Sequence, residues 1–172
     1  HGTMANALPH AIGASCAYPD RQVISMSGDG GLAMLMGELL TLVEHDLPVK
    51  VVVFNNASYN FVEVEMKADG FVNFGTDLDN PNFADVAQSV GITGIRVEQG
   101  ADLRPAIERM LATDGPVLLD VVTAREELSM PPSITLEQAK GFTVWALKTV
   151  LSGRGDELLD LADTNVWRRL FD

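Results

Sequence analysis

Cysteine is nearly missing from this chain: Cys16 stands alone among 172 residues. A single thiol can close no intrachain disulfide and build no cysteine metal cluster. Its place among small residues in a helical stretch predicts a buried packing residue. Positive charge is also scarce, with 12 Lys and Arg against 24 Asp and Glu and a net charge of −12. That balance argues against the basic face that nucleic-acid binders present, so no nucleic-acid partner is expected. Although 47% of the residues are hydrophobic, no unbroken apolar run reaches the ~18 residues of a membrane span. The opening residues show no basic-then-apolar leader. The expectation is a soluble, intracellular protein whose length suits one ordinary domain with a real core.

What is present is concentrated between Gly28 and Asn56. Gly28-Asp29-Gly30-Gly31 follows the β-branched run Gln22-Val-Ile-Ser-Met-Ser, and Asn55-Asn56 follows Val49-Lys-Val-Val-Val-Phe. Two such runs, separated by a helix-length segment, predict parallel strands of a βαβ unit. Both following loops then leave the sheet at the carboxyl ends of the strands, where open α/β sheets bind ligands.

The residues of these loops share a chemical logic. Gly30 and Gly31 let backbone N–H groups approach an anion, and a helix starting near Gly31 would aim its positive end there. Asp29 would repel a phosphate unless a cation lay between them. Asp29, the Asn56 amide oxygen and the backbone carbonyl of Ser58 offer hard oxygen ligands, which suit octahedral Mg²⁺. Either half alone reads equally well as an ordinary turn. Together, at this spacing, they favour a metal–diphosphate site.

GDG, a segment of this length and then NN resembles the signature of the thiamine diphosphate (ThDP) enzymes. His1-Gly-Thr-Met-Ala-Asn-Ala-Leu-Pro, Ser27-Gly-Asp-Gly-Gly-Leu-Ala-Met-Leu-Met-Gly, Phe61-Val-Glu-Val-Glu-Met-Lys-Ala, Asp114-Gly-Pro-Val-Leu-Leu-Asp-Val-Val and the tail from Pro131 to Asn165 are most similar to the bacterial pyruvate:quinone oxidoreductases. That resemblance implies oxidative decarboxylation of pyruvate to acetate and CO₂, with ThDP, Mg²⁺ and FAD as cofactors and quinone as electron acceptor. It implies that Gly2 offers its carbonyl to the aminopyrimidine and that Met4 props the bent cofactor. Gly28, Asp29, Gly30, Gly31, Asn56, Ser58, Tyr59 and Asn60 would bind cofactor, with Asp29, Asn56 and Ser58 on the metal. Phe61 would lie between ThDP and flavin, and Glu65 would line the substrate pocket. It further implies a homo-oligomer, a tetramer in the family, in which a glutamate of a neighbouring subunit's pyrimidine-binding domain activates the cofactor. The chain is then expected to be a C-terminal fragment, inactive alone and lacking its domain's first strand. It would be cytoplasmic, or peripheral on the inner face of the membrane. Acetolactate synthase or another ThDP decarboxylase or lyase is the rival within the family. A non-catalytic α/β domain binding an anion or a protein is the rival outside it.

The rest of the pattern predicts a doubly wound, mostly parallel α/β sheet with helices on both faces and a helical tail. The cofactor domain is expected over residues 1–128 and the tail over 129–172. A helix from Met4 to about Tyr18 carries Gly13 as a close-packing point, and His10 there reads as an ordinary packed or surface histidine. An apolar helix Leu32–Glu44 should be deeply buried, with His45 at the negative end of its dipole. Tyr59–Lys67 forms a short helix, and Asp69–Pro81 a mobile loop. Asn82 caps a helix Phe83–Val90, followed by a strand at Ile95–Val97, a helix Ala101–Ala112 and a buried strand Pro116–Val122. Thr135–Leu151 and Asp156–Phe171 form the tail helices, the second docking through Leu159, Ala162, Val166 and Leu170. Trp167, Leu170 and Phe171 beside Arg168-Arg169 resemble a lipid anchor, although the acidic first half of that helix opposes anionic lipid.

Overall fold

The computed structural model describes residues 3–125 and 135–167. The elements run α1 (Ala7–Ala17), β1 (Ile24–Gly28), α2 (Asp29–Met34), α3 (Leu39–Glu44), β2 (Lys50–Asn55), α4 (Asn60–Ala68), α5 (Phe83–Ser89), β3 (Thr93–Val97), α6 (Gly100–Ala112), β4 (Val117–Val122), α7 (Leu136–Leu151) and α8 (Asp156–Ala162). The four strands form one all-parallel sheet in the order β1-β2-β4-β3, so the expected α/β architecture is present. The contacts divide the chain into two compact units, residues 1–57 with 79–123 and residues 58–78 with 124–172. The segment 58–78 thus groups with the tail; the expected boundary at 128/129 lies outside the described residues. Among the described residues no helix is long and apolar enough to cross a membrane.

The first unit holds the sheet. Alternation along the strands sends side chains to two faces, and each face has its own core. Val51 and Val53 of β2 and Leu118 of β4 pack with Leu8, Leu32, Leu39, Leu42 and Phe83 of the helices. Val117, Leu119 and Val121 pack on the other face with Ala106 and Met110 of α6. At the amino end of β2, buried Lys50 donates to the carbonyls of Thr113 and Gly115, both at 2.6 Å. Burial pushes its ammonium pKa down, against the pull of nearby Asp114.

Several expectations are corrected here. The helix after the glycines starts at Asp29 rather than Gly31 and is not continuous. It breaks at Leu35 (φ −132°, ψ 34°) into a short 3₁₀ turn, Met36–Glu38, before α3. This break turns Met34, Leu35 and Leu40 outward, so only part of that apolar stretch is buried. Cys16 is exposed rather than packed, and α1 begins at Ala7, not Met4. A Cβ on Gly13 would meet nothing within 4 Å, so it is no close-packing point. The tight approaches lie elsewhere: at Gly94 a Cβ would overlap the backbone of Ala84, where β3 crosses α5.

In the second unit α4 packs on α7, where a Cβ on Gly141 would overlap the Ala68 carbonyl. A capping box starts α7, with the Thr135 hydroxyl accepting from the Gln138 N–H and the Gln138 side chain accepting from the Thr135 N–H. Helix α8 ends at Ala162 and continues as a π-helical turn, Asp163–Trp167. Leu159, expected on its inward face, is exposed, while Leu158 and Leu161 are half-buried. The side chains of Trp167 and of residues 168–172, on which the lipid reading depended, lie outside the described residues.

Gly94→Ala should force β3 and α5 apart. The expected loss is about 2–3 kcal/mol, the upper part of the usual overpacking range, read as a lower urea midpoint.

Candidate functional site

The site of the first unit is built at the carboxyl ends of β1 and β2, where Gly28 pairs in register with Phe54. Gly28 is the extended N-cap of α2, and Asp29 is its first residue. Asp29 is buried, 3% exposed. An unpaired charge there would cost several kcal/mol, and the chain meets it with three donors. Its Oδ1 accepts the Gly30 N–H at 2.8 Å, and its Oδ2 accepts the Ala57 N–H at 2.7 Å. The third is the Asn80 amide, also 2.7 Å from Oδ2. An acid in the first turn of a helix is also favoured by the dipole. The Gly30 N–H, expected to face a bound anion, is thus turned onto Asp29 itself.

Ala57 reaches Asp29 from a left-handed conformation, φ 55°. A non-glycine residue there stores on the order of 1 kcal/mol. Two residues earlier, Asn55 is buried, and its amide is engaged by protein partners at both ends. Asn55 donates to Asp120 Oδ1 at 3.0 Å and accepts from Asn80, also at 3.0 Å. Asp120, fully buried on β4, further accepts from the Phe83 N–H at 3.3 Å and from Arg96 at 2.5 Å. Arg96 also bonds Glu98 at 2.7 Å, and the pKa of its guanidinium is raised, chiefly by Glu98 and then by Asp120. Asn56 is half-buried in the turn between Asn55 and Ala57.

The sequence-predicted residues therefore separate. Gly28, Asp29, Gly30, Gly31 and Asn56 lie in the first unit, together with Met4, which is 46% exposed. Gly2 lies outside the described residues. Ser58, Tyr59, Asn60, Phe61 and Glu65 belong to the second unit, on or just before α4. Phe61 is exposed, at 75%, and so is Glu65. The Asn60 amide donates to the Arg125 carbonyl at 3.2 Å.

The buried acid of α4 is Glu63, which sequence reasoning passed over. Its Oε1 accepts from Lys67 at 2.8 Å and Asn73 at 2.7 Å; its Oε2 accepts from Ser58 at 2.7 Å and from Thr76 and Arg125 at 3.4 Å. Arg125 also pairs with Asp77, and the Lys67 ammonium lies 5.0 Å from the centre of the Trp145 ring. Burial alone would raise the Glu63 pKa, but the hydrogen bonds from Lys67 and Ser58 and the charges of Lys67 and Arg125 outweigh it and hold it below its ordinary 4.5. Only the i,i+4 spacing of Glu63 and Lys67 was legible beforehand.

The donor chemistry of the first unit fits a hard cation. Of the two Asp29 oxygens, Oδ1 carries the lighter load, one N–H against two donors on Oδ2. Asn56, whose side chain carries an amide oxygen, follows Asn55 in the same βα crossing. Among the described residues no three His, Cys, Asp or Glu side chains gather as a metal cluster; a set of one carboxylate with amide and carbonyl oxygens needs none. Beside it, a Cβ on Gly31 would lie 2.9 Å from the Ser27 hydroxyl, so the backbone there stays bare.

Comparison with known proteins decides the family. Residues 1–121 match the family described as thiamine pyrophosphate enzyme, C-terminal TPP binding domain. The chain belongs to this family. Its relatives include YdaP of Bacillus subtilis (strain 168), 38% identical over 98% of the chain and 29% of YdaP. The acetolactate synthase large subunit of Cyanidium caldarium is 35% identical over 87% of the chain and 26% of its own length. The chloroplastic acetolactate synthase of Arabidopsis thaliana is 40% identical over 76% and 21%. Among solved structures, a thiamine diphosphate-dependent 4-hydroxybenzoylformate decarboxylase of Rhodococcus jostii RHA1 superposes with a TM-score of 0.66 at 31% identity, covering 70% of this chain and 23% of that one. The chain spans less than a third of the length of these relatives.

Two outcomes are expected. In calorimetric titration with ThDP and Mg²⁺, Asp29→Ala and Asn56→Ala should each abolish the binding of the full-length protein. Glu63, ionised and paired in the fold, contributes stability that is complete above pH 4.5 and lost as pH falls through its depressed folded pKa. Glu63→Gln should therefore cost about 3 kcal/mol at neutral pH and flatten the acid limb of thermal stability measured from pH 6 down to 3.

Proposed function

We propose that this TPP-binding domain serves an enzyme that oxidatively decarboxylates pyruvate to acetate and CO₂ and passes the electrons through FAD to a quinone. The observation that carries the cofactor part is the Asp29 carboxylate, buried and oriented at the carboxyl ends of β1 and β2 beside bare glycine backbone. Asp29, Asn56 and the Ser58 carbonyl would hold Mg²⁺ against the cofactor's diphosphate. ThDP, when bound, supplies the electron sink that lets a 2-keto acid lose CO₂. Met4 would support its bend, and Gly2 would accept its amino group's hydrogen bond. On α4, the exposed Phe61 and Glu65 are free to meet flavin and pyruvate, Glu65 orienting the substrate or moving a proton.

Pyruvate oxidation is supported by motif resemblance that continues into the tail; the match to YdaP, over 98% of this chain and 29% of YdaP, continues there too. The same resemblance supports a homo-oligomer, a neighbouring subunit's pyrimidine-binding domain as partner, and a tail that meets membrane lipid. The identities of 35% and 40% to acetolactate synthases favour a second reading, condensation of two 2-keto acids.

Anaerobic incubation of the full-length protein with ThDP, Mg²⁺, FAD and pyruvate separates the two. Flavin bleaching with one acetate per CO₂ is the expected result. Acetolactate without net flavin reduction would transfer the assignment to the synthases.

A further inference from the structure

The side chain that joins the two halves of the site comes from neither motif. The Asn80 amide nitrogen donates to Asp29 Oδ2 at 2.7 Å and to Asn55 Oδ1 at 3.0 Å. Asn55 cannot turn away, because its own nitrogen is held by Asp120 Oδ1. Asp120 is held in turn by Arg96 and the Phe83 N–H. The amide of Asn80 is therefore gripped by two acceptors whose own positions are set by strands β1, β2 and β4.

The backbone carrying Asn80 is fixed as well. Pro81 follows it and restricts Asn80 to extended conformations. Asn82 then caps α5, its side-chain oxygen accepting from the N–H groups of Ala84 and Asp85. Phe83 is wholly buried in the core. The end of the segment expected to be a mobile loop is thus anchored by a cap, a core aromatic and a hydrogen bond within three residues of Asn80.

We propose that Asn80 is a positioning residue for the metal ligand Asp29, holding Oδ2 so that Oδ1 is presented to the cation. The proposal rests on the reading of Asp29 as a metal ligand. Without Asn80, Oδ2 keeps only the Ala57 N–H, and with the Gly30 N–H on Oδ1 two donors in place of three hold the carboxylate, which can then tilt or chelate differently. Outer partners of this kind are typically worth 10–100-fold in metal affinity.

Mn²⁺, which takes the same oxygen ligands as Mg²⁺, provides a readout independent of turnover. Its binding to the full-length protein with saturating ThDP is followed by electron paramagnetic resonance for wild type, Asp29→Ala, Asn80→Ala and Asn80→Leu. Leucine fills the space of the amide but donates nothing, so a merely space-filling role would be rescued by it. The expected result is loss of the site in Asp29→Ala and at least tenfold weaker Mn²⁺ binding in both Asn80 variants, with wild-type circular dichroism. Wild-type affinity in a folded Asn80 variant, with Asp29→Ala defective, would overturn the role of Asn80 alone. Unchanged binding in Asp29→Ala would overturn the metal reading itself. Failure of both Asn80 variants to fold would make Asn80 a folding residue and overturn the proposal.

Discussion

A carboxylate shut away at the carboxyl end of a parallel sheet must be met by donors, and Asp29 imposes that demand on three stretches of chain. Its own helix supplies one N–H from Gly30, and the next βα crossing supplies another from Ala57. The third comes from a side chain 51 residues away. Each donor fixes something: Gly30 ties the carboxylate to the start of α2, Ala57 accepts a left-handed backbone, and Asn80 draws the start of α5 to the strand ends. The site's geometry and the unit's connectivity are two results of satisfying one buried charge.

The second unit repeats the principle with other parts. Glu63 is met by a lysine one helical turn away, an arginine from beyond the sheet's last strand, the Ser58 hydroxyl just before α4, and the Asn73 amide and Thr76 hydroxyl of the loop after it. Such networks are costly when incomplete, since a half-satisfied buried charge is worse than an apolar core. Both Glu63 oxygens have donors, which explains how a helix bearing exposed Phe61 and Glu65 can still be firmly seated. The polar centre fixes the helix from beneath and leaves its outer face unencumbered.

The strands were legible because β-branched runs of five or six residues, bounded by glycine, proline and asparagine, have few other readings. So was the Asn82 cap, which needs only four consecutive residues. The break at Leu35 was not legible, since leucine and methionine keep helical spacing straight through it. Gly13 looked like a contact and is open, whereas Gly94 and Gly141 are contacts that no local pattern marks. Of the candidate site, the GDG and NN motifs were readable as oxygen donors and bare backbone. Asn80 and Asp120 were not, because partners 24 to 65 residues away in sequence carry no local signature; of the Glu63 network only the Lys67 spacing was, because its other partners lie outside the helix.

The meeting of Gly141 with the Ala68 carbonyl also has a mechanical meaning. Most helix pairs are separated by side chains that can change rotamer and absorb a small displacement. Here the main chains of α4 and α7 touch directly, so there is little compliant material between them. A push on the tail helix is therefore passed on as motion of the neighbouring helix. Within the second unit the two behave as one stiff lever, with the tail at one end and Phe61 and Glu65 on its other arm.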